Sequence, residues 1–114
     1  MEVFEKLEVW RRSCRLSVRI YRSLANCRDR GFKDQITRAA LSVPSNIAEG
    51  HERGSRREYA RFLRIAKGSC GELRTQLYIG REIGFIEPDS AKEFVEEAHE
   101  IAKMLQGVVR SLEA

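Results

Sequence analysis

From Gln35 to Leu77 apolar residues recur every three or four positions, and the recurrence runs straight through Pro44 and past an arginine-rich turn. That period belongs to amphipathic helices that bury one face. The chain has 114 residues with only two prolines and eight glycines, which leaves little turn chemistry for an all-β fold. The expectation is one domain over residues 1–114 with a single modest core. Connections are short, so sequence neighbours should pack antiparallel. The predicted fold is therefore all-α, an up-down-up-down antiparallel four-helix bundle.

The helices are predicted at about 6–25, 32–49, 55–83 and 88–112. On the first, Leu7, Trp10, Cys14, Ser17, Tyr21 and Leu24 form one stripe, and Val9, Leu16 and Ile20 widen it. On the second, Ile36, Ala39, Ala40, Val43 and Ile47 carry the stripe. Pro44 lacks an amide donor and crowds the preceding turn. A kink at Pro44 is the preferred reading, with two helices broken at Val43 as the alternative. Ser42, Ser45 and Asn46 are placed to take up freed carbonyls. Ser55-Arg56-Arg57-Glu58 is a capping-box pattern opening the third helix, and Gly84 is placed to close it. Its seam is Tyr59, Phe62, Leu63, Ala66, Ser69, Cys70, Leu73, Leu77 and Gly80. Gly68 and Gly71 weaken a helix unless a neighbour approaches closely. Pro88 suits the first turn of the fourth helix, whose stripe runs from Ala91 to Leu112. The third helix outreaches the first, so part of its seam is free to face another subunit.

Charge is divided along the chain. Residues 1–70 hold 16 Lys/Arg against 8 Asp/Glu, and residues 71–114 hold 5 against 9. Such asymmetry serves either a polyanion-binding face or two faces that dock on each other. The N-terminus lacks a secretory apolar stretch, and no run reaches the roughly 20 apolar residues of a membrane span. Cys14, Cys27 and Cys70 are odd in number and show no CxxC spacing, as reduced cytoplasmic thiols do.

Catalytic patterns are weak. Glu96-x-x-His99 has the spacing of a di-metal half-site, but His51 supplies no second copy and His99 lies off the apolar stripe. The GSCG run around Ser69 and Cys70 lacks the strand-turn-helix setting of a nucleophile elbow. No phosphate loop or dinucleotide fingerprint is present. No enzyme activity, cofactor or metal is expected. The arginines offer more. Arg12, Arg15, Arg19 and Arg22 make one helical stripe, and Arg53, Arg57, Arg61 and Arg64 make another. These eight are the candidate nucleic-acid contacts, through phosphates and without base reading. Helical spacing alone also produces solvated faces or ion pairs between subunits. Glu49 paired with Arg61 is one expected contact.

Three segments carry a family resemblance. They are Phe4-x-x-Leu7-x-Val9-Trp10, Gln35-Ile36-x-Arg38-Ala39-Ala40-x-Ser42-Val43-Pro44-Ser45-Asn46-Ile47-Ala48-Glu49-Gly50, and Glu58-Tyr59-x-Arg61-Phe62-Leu63-x-Ile65-Ala66-x-Gly68-Ser69-x-x-Glu72-Leu73-x-x-Gln76-Leu77. The chain resembles the bacterial four helix bundle protein family, which has members encoded in intervening sequences of large-subunit ribosomal RNA genes. The resemblance implies a small cytoplasmic protein in a cyclic homo-oligomer, a pentameric barrel. A related fold is the accessory protein of diversity-generating retroelements, which binds nucleic acid and partners a reverse transcriptase. The expected role is non-enzymatic RNA or DNA binding, favouring the backbones of structured RNA or RNA/DNA duplexes. The alternative is an interaction module that docks an acidic protein partner such as a polymerase.

Overall fold

A computed structural model describes residues 3–114. A 3-10 turn over Phe4–Lys6 leads into four helices: α1 (Glu8–Ser23), α2 (Arg30–Glu52), α3 (Arg56–Glu82) and α4 (Pro88–Glu113). No strand occurs among the described residues. The helices share one core that includes Ile20, Ile36, Ile47, Leu63, Leu77, Ile101 and Leu105, all fully buried. The whole measures 43 × 20 × 19 Å. Its length is close to the roughly 40 Å that a helix as long as α3 spans.

Local chemistry sets the helix ends. Asp29 caps α2 by accepting the Phe32 amide at 2.9 Å, so the helix starts at Arg30, earlier than the apolar stripe indicates. Ser55 accepts the Glu58 amide at 3.1 Å. The reciprocal half of the capping box is replaced, because the Glu58 carboxylate accepts from Arg61 at 2.8 Å. Gly84, at φ +84°, ends α3. There the Phe85 amide reaches the Gly80 carbonyl at 2.8 Å and the Gly84 amide reaches that of Arg81 at 3.1 Å, the two bonds of a Schellman motif. Glu87 caps α4 through the Asp89 and Ser90 amides.

α2 is a single helix with Pro44 inside it and buried, not two helices broken at Val43. Asn46 donates to the Ser42 carbonyl at 2.8 Å and lies 3.2 Å from its hydroxyl. The Ser42 hydroxyl in turn meets Ser69 on α3 at 2.6 Å. Ser69 is thereby occupied in a helix-helix contact.

The predicted seams of α2, α3 and α4 are the buried ones. That of α1 differs. Its buried residues are Val9, Ser13, Leu16, Ile20 and Leu24, while Trp10, Cys14 and Ser17 are partly covered and Tyr21 is exposed. Ser13 tolerates burial because its hydroxyl donates to the Trp10 carbonyl at 2.8 Å. α1 packs on α2 and α4, and the residues it buries, Val9, Ser13, Leu16 and Ile20, fall on one narrow strip.

Contacts between α3 and α4 pair Arg56 with the Ser111 and Leu112 carbonyls, Lys67 with Gln106, and Arg74 with His99. Between α2 and α3, Gly50 faces Tyr59 and Phe62, and Phe32 lies on Gly80. Gly50 and Gly80 are the glycines that close packing requires. Gly68 and Gly71 have nothing within 4 Å of the Cβ they lack. The close neighbour expected at those two positions is therefore not supplied by this chain.

Candidate nucleic-acid interface

Seven of the eight predicted arginines lie on α1 and α3, Arg53 lies in the turn before α3, and most of their charge is neutralised within the chain. Arg12 makes a two-pronged contact to Glu97 on α4, at 2.9 and 2.5 Å. Arg19 donates to Glu93 at 2.6 Å and lies over the Phe94 ring. Arg64 pairs with Glu113. Arg53 pairs with Glu49 at 2.9 Å and Arg61 with Glu58 at 2.8 Å, the two guanidiniums flanking Phe62. The expected Glu49–Arg61 pair is not formed, since each residue has a partner closer along its own helix. Arg15 stands 3.7 Å from Glu8, both well exposed. Arg22 and Arg57 have no ion-pair partner among the described residues.

The two stripes lie on helices that do not touch. Arg12 and Arg19 lie along α4, and Arg64 reaches its C-terminal end. The acidic second half of the chain thus neutralises the basic first half at the α1–α4 and α3–α4 seams. Hydrogen bonding from Arg12 holds the Glu97 carboxyl below its usual 4.5, against a smaller opposing effect of burial. A carboxyl depressed in the folded state adds stability above its unfolded pKa, and that contribution fades as the pH falls through the folded value. Glu97→Gln is therefore expected to lower the melting temperature at neutral pH. The difference from the wild type should shrink as the pH falls through the depressed folded value, below 4.5, as thermal melts over a pH series will show.

Cations without carboxylate partners collect elsewhere. Residues 21–40 contain Arg22, Arg28, Arg30, Lys33 and Arg38 against Asp29 and Asp34. None of the five has an ion-pair partner among the described residues. Asp29 is the cap of α2. Lys33 lies 5.6 Å from the centroid of the Tyr21 ring. Arg22 and Arg38 line one groove between α1 and α2. Sequence reasoning found only Arg22 of this group. Arg28 lies in the turn after α1 and Arg30, Lys33 and Arg38 lie on α2, where they continue neither arginine stripe. The available signal was density of cations per carboxylate, not spacing.

The remaining chemistry-bearing residues pack against neighbours, with both ring nitrogens of His51 buried and without a hydrogen bond among the described residues. Burial pushes the Cys70 thiol up to about 11, which keeps it protonated and a poor nucleophile. Arg74 lies 2.7 Å from His99 Nδ1. A guanidinium only donates, so Nδ1 accepts and the proton sits on Nε2. His51 packs edge-on between Phe4 and Tyr59. No cluster of three or more metal-ligating side chains occurs among the described residues. None of their helices is long and apolar enough to cross a membrane.

Residues 5–107 match the family described as 23S rRNA-intervening sequence protein. The chain belongs to that family. Its fold is similar to a crystal structure from Bacteroides thetaiotaomicron, of a protein of unknown function in the S23 ribosomal protein family. That likeness has a TM-score of 0.82 at 26% identity, over 89% of this chain and 97% of the other. No curated protein matches the chain. The matched span includes the run from Ser42 to Gly50, which packs α2 on α3.

Proposed function

We propose that this protein is a non-enzymatic, oligomeric nucleic-acid-binding protein that holds RNA phosphates at the α1–α2 end. The observation that carries the reading is the group of five unneutralised cations at Arg22, Arg28, Arg30, Lys33 and Arg38. Arg57 is a further free contact, whereas the paired members of the two stripes contribute little net charge. Phosphate contacts of this kind bind without sequence preference and weaken with salt. The family's link to ribosomal RNA favours RNA as the polymer.

The order of interhelical contacts supports an up-down-up-down antiparallel arrangement. Self-assembly is supported by the outer side of α3 and its C-cap, where Ile65, Ile79 and Ile83 are 42, 46 and 55% exposed. The open space at Gly68 and Gly71 leaves room there for another helix. A cytoplasmic setting is supported by three free thiols. The absence of catalysis is supported by the protonated Cys70 and the bonded Ser69.

Light scattering on protein purified at low salt, with absorbance at 260 and 280 nm, tests both halves of the reading. The expected result is a multiple of the 13.1 kDa chain mass carrying nucleic acid that high salt removes. A nucleic-acid-free monomer at low salt would sink the proposal.

A further inference from the structure

The groove between α1 and α2 encloses about 680 Å³. Tyr21 in its lining is 60% exposed, and the neighbouring Val18 and Leu41 are 47% and 59% exposed. The Lys33 ammonium lies 5.6 Å from the Tyr21 ring centroid. Arg22 and Arg38 line the same groove, with Asp34 as its acidic member. Neither arginine is paired with that carboxylate.

An aromatic ring in solvent, bordered by aliphatic side chains and unneutralised guanidiniums, matches a ligand with a flat apolar face and negative charge beside it. A nucleotide has both. In a duplex the base faces are stacked on one another and closed to the protein. In a single strand they are open, and aromatic side chains serve as stacking platforms. An acidic protein segment would satisfy the guanidiniums but leave the exposed ring unused. We infer that this groove binds single-stranded RNA, stacking an unpaired base on Tyr21 while Arg22 and Arg38 hold flanking phosphates. The inference rests on the nucleic-acid reading above and adds to it the form of the polymer and the residue that selects it.

Fluorescence anisotropy with labelled oligoadenylate, alone or annealed to oligouridylate, tests it on wild type, Tyr21→Leu and Tyr21→Phe. Tyr21 is exposed, so neither substitution disturbs the core. The single strand is expected to bind more tightly than the duplex. Tyr21→Leu should weaken the single strand about tenfold, the effect of one lost stack, and leave the duplex unchanged. Tyr21→Phe should bind as the wild type does. Equal single-strand affinity for Tyr21→Leu and wild type overturns the groove assignment while leaving phosphate binding intact. Failure of the wild type to bind either form overturns the phosphate reading, and this inference with it. A change in assembled mass on Tyr21→Leu, seen by light scattering, would make the groove an interface between copies of this chain and also overturn the inference.

Discussion

Gly50→Val is expected to cost about 3 kcal/mol of folding stability and to lower the melting temperature by roughly 10 °C. A Cβ placed on Gly50 would stand 2.6 Å from the Phe62 Cβ and 3.3 Å from the Tyr59 carbonyl oxygen. Both are fixed to the α3 backbone, so no rotamer change relieves the clash and the two helices must separate. That separation loosens the α2–α3 seam, which includes the Ser42–Ser69 contact. Gly80 is also crowded, but by the tips of Phe32 and Ile86, which can swing aside. Gly107→Ala, in α4, is the matched control. Nothing within the chain opposes its Cβ, so it should gain about 0.5–1 kcal/mol of helix stability. Thermal melts of the two variants check both signs.

Neutralising Arg22, Arg28, Arg30 and Arg38 to glutamine should remove most RNA affinity. Each phosphate contact releases about 0.7 of a counterion from a single strand. Four lost contacts therefore weaken binding by orders of magnitude at low salt. Arg53, Arg57, Arg61 and Arg64 changed to glutamine should have a much smaller effect. Three of these four already neutralise carboxylates at Glu49, Glu58 and Glu113. Removing them leaves those carboxylates unpaired but takes away only Arg57 as a free phosphate contact. Filter binding of one RNA oligonucleotide to the two variants makes the comparison. The substituted side chains are at the surface, so folding should persist, and far-UV circular dichroism will verify it.

Much of this fold was legible in the sequence. The seams of α2, α3 and α4 follow from local period, because each of those helices is buried along a broad stripe. The α1 stripe was misplaced because Trp10 and Tyr21 weigh heavily in an apolar pattern, while Ser13 reads as polar. Only its bond to the Trp10 carbonyl makes Ser13 a core residue. The start of α2 was missed because Asp29 lies in a turn, with no apolar period to mark it. The candidate site was less legible. Spacing along α1 and α3 identifies stripes of arginine but not what faces them. Glu93, Glu97 and Glu113 come from a helix distant in sequence, and they decide which arginines remain charged towards solvent. The charge asymmetry between the two parts of the chain did contain this information. Docking of the basic part on the acidic part was one of its two readings, and at α4 it is the one realised. The groove at Tyr21 was hidden for the same reason as the α1 stripe, since Tyr21 was assigned to the core.

The salt dependence of RNA affinity tests the central claim most directly. For the wild type, the logarithm of the binding constant should fall linearly with the logarithm of salt concentration. Its slope should correspond to several phosphate contacts, at about 0.7 per contact. Substituting Arg22, Arg28, Arg30 and Arg38 together should flatten that slope by about 3. Substituting Arg53, Arg57, Arg61 and Arg64 should change it by less than about 1. A slope that collapses with the second set and persists with the first would contradict the assignment of phosphate binding to the α1–α2 end.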